Sequence, residues 1–320
     1  MHEFISPDIF ICLLPIDFTN NFPIFSPIID SIQTMKKTDR RNFIKLAGAA
    51  VPGALLLNLP NCTSKPLSSD SNKLTGSVIK LGIASYTFRE FSLEDTLRMT
   101  ARLSMKYISL KSMHLPLEST EQEIKNAKRK VEEAGIDLYG AGVIYMNNAD
   151  EVENAFRYAS AAGMKTIIGV PLYDLLDLVE RKVKETNIQV AIHNHGPGDD
   201  VYPSPESVIN KIRGRDKRIG LCMDIGHTQR LGLDPADEAE KYFDRLLDVH
   251  LKDVDKSTAD GETLEIGRGI IDVPKFLNVL LKKKYTGIAS FEFEKDANDP
   301  LAGLAESVGY VNGVLTMLEK

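Results

Sequence analysis

The chain has 320 residues, of which 43% are hydrophobic and 26% are charged, and its mean hydropathy is −0.15. This composition is typical of a globular protein and excludes a disordered or fibrous chain. Its 39 basic and 45 acidic side chains give a net charge of −6, which offers no broad positive surface to a nucleic acid, so no nucleic-acid partner is expected. Cys12, Cys62 and Cys222 are too few and too scattered for a disulfide scaffold or a four-thiolate zinc site.

The amino-terminal part of the chain has the pattern of an export leader. Basic residues, among them the pair Arg40 and Arg41, precede an apolar run over residues 46–60. This run is shorter than the roughly 20 residues that a membrane-spanning helix needs, so no transmembrane span is expected. We predict a twin-arginine-type signal over residues 35–62 and export to the periplasm. Lipid attachment at Cys62 is an alternative, although the residues before it match that signal poorly.

The segments around the leader complete the predicted domain organisation. Residues 1–34 are predicted to be a mis-assigned upstream extension, because a leader should begin close to its charged region and Met35 offers a better start. Residues 63–77 are rich in Ser, Lys and Asn and are predicted to be a linker. Residues 78–320 form the single predicted domain.

From residue 78 onward, short β-rich runs alternate with helix-period segments, for example residues 92–103 and residues 119–134, where a capping box is predicted at Ser119. Eight such units in about 240 residues predict an α/β fold, the (β/α)8 TIM barrel. An open doubly wound sheet is the rival, but residues 83–87 lack the glycine-rich turn that it needs after its first strand. The predicted strands are residues 80–86, 107–111, 137–143, 166–170, 189–193, 220–224, 247–251 and 288–293.

Polar side chains collect where these strands end, which is where the functional site of such a barrel lies. Apart from His2, each of the six histidines is close to a predicted strand end. Imidazole nitrogens and carboxylate oxygens meeting at one mouth would suit a divalent ion, and a polar cap without metal is the alternative. The residues concerned are His114, His193, His195, Asp224, His227, His250, Lys252, Glu292 and Glu294.

These residues resemble the motifs of the xylose-isomerase-like sugar isomerase and epimerase barrels. The likeness extends from about residue 78 to the end of the chain and rests on His193-Asn194-His195, Asp224 with His227, His250 with Lys252 and Asp253, residues 265–269, and Ser290-Phe291-Glu292. The resemblance implies one divalent ion, Mn, Co, Zn or Mg, with the ligands His193, Asp224, His250 and Glu292.

One departure from the family pattern bears on the chemistry. Relatives usually have Glu-Asn-His where this chain has His193-Asn194-His195. In the epimerases two metal-bound glutamates also move protons on opposite faces of the sugar, and here one of them is replaced by His193. The substitution keeps a ligand but removes one negative charge, which would leave the ion a stronger Lewis acid.

The whole pattern, leader included, resembles exported barrel proteins of Bacteroidetes-type bacteria, some of which resemble enzymes that cleave 3-keto-glycosides. The expected partner is therefore a small sugar or keto-glycoside. A ketone at C3 acidifies the hydrogen on C2, and a metal ion stabilises the enediolate that forms when a base removes that proton. Elimination of the C1 substituent, epimerisation and isomerisation all share this intermediate, so the sequence leaves the product open.

The other polar residues at the predicted mouth are candidates for proton transfer and for substrate binding. The candidates for the base are His195, Glu294 and Lys111. His114, His227, Lys252 and Arg268 are candidate substrate contacts, with a second ion as an alternative for His227 and solvated surface charge as an alternative for Lys252 and Arg268. A non-catalytic sugar-binding barrel, a sugar-phosphate isomerase and an AP-endonuclease-like metal nuclease are the alternative functions. The sequence predicts no oligomeric state.

Overall fold

Eight short, largely apolar segments form a closed barrel of parallel strands in the computed structural model, which describes residues 79–320. The first strand pairs with the last, Lys80 beside Ile288, and this pairing closes the cylinder. The predicted (β/α)8 TIM barrel is confirmed. Its strands are β1 (Lys80–Ala84), β2 (Tyr107–Leu110), β3 (Asp137–Met146), β4 (Thr166–Pro171), β5 (Gln189–His193), β6 (Ile219–Asp224), β7 (Leu246–Leu251) and β8 (Ile288–Phe291).

Helices connect the strands and cover the outside of the barrel with their apolar faces. Three short 3-10 turns, Ser85–Phe88, Tyr173–Leu175 and Phe243–Arg245, and a two-stranded ribbon, Asp253–Val254 with Thr263–Leu264, add to this pattern. Within the described range the helices are α1 (Leu93–Arg102), α2 (Glu121–Glu133), α3 (Ala149–Ala162), α4 (Leu176–Thr186), α5 (Pro205–Ile212), α6 (Ile225–Arg230), α7 (Pro235–Lys241), α8 (Val273–Lys282) and α9 (Leu301–Leu318).

The observed element ends differ from the predicted ones at a few positions. The capping box of α2 uses Thr120 and Glu123, one residue later than predicted: the Glu123 amide donates to Thr120 Oγ1 (3.3 Å) and the Thr120 amide to Glu123 Oε2 (2.8 Å). Strand β3 continues to Met146, beyond the predicted end at residue 143. Its register shifts near Gly142, where φ is +155° and a side chain would overlap the carbonyl oxygen of Ile168. This extension carries Tyr145 to the carboxyl end of the barrel.

Helix α9 is the one helix of the described range that is long and apolar enough, by length and composition, to cross a membrane. It is the last helix of the barrel, and Leu304, Val311 and Leu315 on it are buried. The predicted upstream extension, the leader with Cys62 and the linker lie outside the described residues.

Candidate active site

Four side chains from neighbouring strands meet at the carboxyl end of the barrel. His193 ends β5, Asp224 ends β6, His250 lies near the end of β7, and Glu292 directly follows β8. The Nε2 atom of His193 lies 3.1 Å from Nδ1 of His250 and 3.7 Å from Oδ2 of Asp224. Glu292 Oε2 lies 3.2 Å from the same His250 Nδ1. One potential ligand atom of each residue lies within 4.8 Å of all the others.

This cluster has the properties of a metal site. All four residues are at most 5% exposed, and the atoms that face one another are two imidazole nitrogens, His193 Nε2 and His250 Nδ1, and two carboxylate oxygens, Asp224 Oδ2 and Glu292 Oε2. Buried nitrogen and oxygen atoms that converge in this way form the donor set of a metal site. Two imidazoles and two carboxylates suit Zn²⁺, Mn²⁺ or Co²⁺ better than an all-oxygen ligand set would. The residues therefore fit one divalent ion.

Lys252 is a buried cation in direct contact with this cluster. It is 1% exposed, and its Nζ lies 3.1 Å from Asp224 Oδ2, 3.2 Å from Glu292 Oε2 and 3.1 Å from Glu294 Oε1. Burial by itself would lower the pKa of Lys252, but the three carboxylates raise it above its ordinary value. Lys252 is therefore not a solvated surface charge, and its ammonium group is occupied by carboxylates.

The pKa values of the cluster carboxylates, Asp224 and Glu292, shift in the opposite direction to that of Lys252. Burial alone would raise the pKa values of Asp224 and Glu292, but nearby positive charge holds both well below their ordinary range. His227, in the protonated form that it takes at low pH, and Lys252 have this effect on Asp224, and His250 and Lys252 have it on Glu292. Both groups therefore stay ionised, which is the form that binds a metal ion.

A cavity of about 290 Å³, here called the reaction cavity, opens above the cluster. The three residues predicted as candidates for the base, Lys111, His195 and Glu294, all line it, together with two members of the cluster. Lys111 Nζ lies 5.0 Å from the centre of the Tyr86 ring, and desolvation lowers the pKa of this lysine. The full lining is Tyr86, Lys111, Val143, Tyr145, His193, His195, His227, Glu292 and Glu294.

Two further histidines of the reaction cavity are held by specific contacts. His195 Nε2 lies 3.1 Å from the hydroxyl of Tyr145, whose ring stacks on the imidazole at a centroid distance of 5.6 Å. The backbone amide of His227 donates to Asp224 Oδ1 at 2.7 Å, which places its ring beside the cluster. Desolvation lowers the pKa of His195, and it lowers that of His227 to about 4. Both imidazoles are therefore neutral near pH 7.

The match to a family model decides the relationship of the chain to known proteins. A model described as a xylose isomerase-like TIM barrel matches residues 97–312. The chain belongs to this family. Among curated relatives, the rhizopine catabolism protein MocC of Rhizobium meliloti is 31% identical over 139 residues, which are 39% of this chain and 42% of that protein. The chain therefore spans less than half the length of that relative.

Solved structures of similar fold agree with the family. A putative uncharacterized protein from Parabacteroides distasonis is 27% identical, with a TM-score of 0.59 over 73% of this chain and 98% of that one. The apo form of 3-keto-D-glucoside 4-epimerase, YcjR, from E. coli is 16% identical, with a TM-score of 0.59 over 73% and 99%. The IolI protein with a bound zinc atom is 17% identical, with a TM-score of 0.60 over 75% and 98%. The last two likenesses concern the fold alone.

Two of the predicted substrate contacts in this xylose isomerase-like barrel lie elsewhere. Arg268 is on the surface and forms a two-pronged ion pair with Glu306, and the structure does not bring it to the reaction cavity. His114 is buried behind β2, where Nδ1 contacts Ser85 Oγ (2.9 Å) and Nε2 contacts Thr96 Oγ1 (3.0 Å). Both ring nitrogens are thus already used, and His114 has no part in the lining of the reaction cavity.

The structure also adds residues that the sequence reasoning missed. Cys222 lies near His193 and His250 and could offer a thiol to the same ion, although burial raises the pKa of that thiol. Beneath it, Asp248 lies 3.9 Å from His250 Nε2, and burial raises its pKa to about 7. Cys222 stands two positions before Asp224, so the two-residue period of the strand carried a signal for it.

Proposed function

We propose that this protein is a metal-dependent enzyme that removes a proton beside the carbonyl of a sugar or keto-sugar, and that its substrates include 3-keto-glycosides. One observation carries the proposal: the cluster of His193, Asp224, His250 and Glu292 opens into the same cavity as the acid–base groups Lys111, His195 and Glu294. Sites that perform proton abstraction combine a charge-stabilising centre with a base in this way.

The four cluster residues would hold the ion. A divalent ion bound there supplies Lewis-acid polarisation of a substrate oxygen. With an ion bound, both imidazoles would be deprotonated, so the two carboxylates would give the ligand set a charge of −2, which matches a divalent cation, while Lys252 is matched by Glu294. Replacement of the usual glutamate by His193 is consistent with this balance, because a fourth carboxylate beside Asp224, Glu292 and Glu294 would leave the site with excess negative charge.

The chain's own groups would move the proton. His195 is neutral and borders the cavity, so it can accept the C2 proton, and Lys111 and Glu294 are the other candidates. In the elimination, the C2–H bond and the bond from C1 to its substituent break, C1 and C2 become doubly bonded, and the departing oxygen takes up a proton. Return of the proton to the carbon skeleton instead gives epimerisation or isomerisation.

The comparisons support this class of chemistry. YcjR, which has the same fold, is named as a 3-keto-D-glucoside 4-epimerase, and IolI binds a zinc atom. Export through residues 35–62 is part of the proposal, because a protein in the periplasm would meet unphosphorylated sugars. A keto-glycoside is therefore favoured over a sugar phosphate as the substrate.

The test follows hydrogen exchange at C2. The purified protein, supplied with Zn²⁺, Mn²⁺ or Co²⁺, is incubated in deuterated water with 3-keto-glucosides and with free keto-sugars. We expect deuterium at C2 and release of the C1 substituent from the glycosides, and loss of both after treatment with a chelator. Binding of sugar without any exchange would instead identify a non-catalytic sugar-binding barrel and would contradict the proposed enzyme.

A further inference from the structure

A second cavity, here called the side chamber, adjoins the reaction cavity. It measures about 370 Å³ and lies between the end of β2, the loop that follows it, the end of β3 and helix α3. Lys111, Val143 and Tyr145 line both cavities. The two spaces are therefore adjacent, and a substituent that passes these three residues from the reaction cavity would enter the side chamber.

The inner surface of the side chamber is apolar. Leu110, Leu117, Val143 and Ile144 contribute hydrocarbon, and Tyr145, which is 49% exposed, contributes an aromatic ring. A half-exposed tyrosine beside aliphatic side chains is a favourable surface for a flat apolar group.

Three polar residues of the side chamber, Glu151, Asn154 and Tyr158, already have partners within the protein. Glu151 accepts hydrogen bonds from the backbone and side-chain amides of Asn147 and from the side chain of Asn148. The Asn154 side chain donates to the carbonyl of Leu117, and the Tyr158 hydroxyl donates to the carbonyl of Leu115. These three side chains are therefore already engaged and offer little to a polar ligand.

The charges around the side chamber disfavour an anionic ligand. Its lining includes the carboxylates of Glu118 and Glu151, and Lys111, on the wall shared with the reaction cavity, is the one cation of that lining. A phosphate in this space would meet two like charges. A neutral group meets no such cost.

We infer that the side chamber binds the apolar, aromatic aglycone of a glycoside whose keto-sugar ring lies in the reaction cavity. This inference rests on the proposed function and names its substrate class. The reaction cavity, at about 290 Å³, is at the lower end of ligand pockets, which measure about 300–1,000 Å³. A sugar ring held in this small cavity would direct a large C1 substituent into the adjoining space.

The test compares phenyl and methyl 3-keto-glucoside, which differ only in the group directed to the side chamber. For the unaltered protein we expect a KM about tenfold lower for the phenyl compound, because its ring leaves water. Leu117→Trp, which fills the side chamber, and Leu117→Asp, which adds a charge there, should both abolish this preference. The matched control is Met317→Trp on the exposed side of α9, where Met317 is 68% exposed; it should keep the preference.

The outcomes separate this inference from the proposed function. Deuterium exchange at C2 with equal KM values for the two glucosides would overturn the aglycone site and leave the proposed function intact. A phenyl preference that survives both Leu117 substitutions would also overturn it. No exchange with any keto-sugar would overturn the proposed function, and the aglycone assignment with it.

Discussion

The surroundings of His114 and those of the cluster histidines, His193 and His250, differ in the partners of their ring nitrogens. Around His114, each ring nitrogen has a hydrogen-bonding partner, supplied by Ser85 or by Thr96 and the Phe88 carbonyl. In the cluster, by contrast, His193 Nε2 and His250 Nδ1 lie 3.1 Å apart and face the carboxylate oxygens of Asp224 and Glu292. Both environments are buried and lie near strand ends. The convergence of nitrogen and oxygen donor atoms, rather than the presence of histidine, therefore marks the candidate site.

The largest expected effect comes from removing a cluster carboxylate. Asp224→Ala should lose most of the bound metal and all C2 exchange, because the ion loses a buried anionic ligand. Elemental analysis of the purified variant and the exchange assay measure the two effects. Glu294→Gln is the matched control: it removes a carboxylate of the same cavity outside the ligand set and should keep the metal content. A metal-free Asp224→Ala protein with full activity would refute the site.

Replacement of Lys252 is expected to change the free energy of unfolding, and the change should depend on bound metal. Lys252→Met leaves Asp224 and Glu292 buried without their cation, which should destabilise the chelator-treated protein by about 3–5 kcal/mol. A bound divalent ion compensates the same carboxylates, so we expect a much smaller loss in the metal-loaded protein. Urea unfolding with and without metal measures both values.

The control for this substitution is Lys256→Met. Lys256 pairs with Asp260 at 3.0 Å on the surface, where such pairs contribute little, so its removal should change neither curve. An equal loss of stability in the chelated and metal-loaded forms of Lys252→Met would show that the ion and the ammonium group do not share the carboxylates.

The two environments also differ in how well the sequence predicts the position of their side chains. The strand period of two correctly grouped His193 with His195 and Glu292 with Glu294, and the parallel barrel brings these strand ends to one mouth. The metal-binding role of the cluster stays a prediction. His114 follows β2 by four residues, in a turn where the strand period no longer sets the direction of a side chain.

Two other features depended on contacts between distant parts of the chain. The burial of Lys252 follows from carboxylates on β6 and after β8, and a lysine at a strand end is normally exposed. Tyr145 reaches the reaction cavity because β3 continues past the register shift near Gly142, which strand propensity does not predict.

The smallest expected effect is that of replacing His114. His114→Phe keeps a ring but leaves the Ser85 and Thr96 hydroxyls without this partner, which should cost about 1–3 kcal/mol of unfolding free energy at pH 7 and leave the metal content unchanged. Desolvation lowers the pKa of folded His114 below its ordinary value near 6.5, so the neutral ring stabilises the fold above that pH. As the pH falls below about 6.5, the unfolded state takes up a proton that the folded state does not, and the advantage over His114→Phe should shrink. Urea unfolding of both proteins between neutral and mildly acidic pH measures this; an advantage that grows on acidification, or a loss of metal from His114→Phe, would place His114 with the cluster after all.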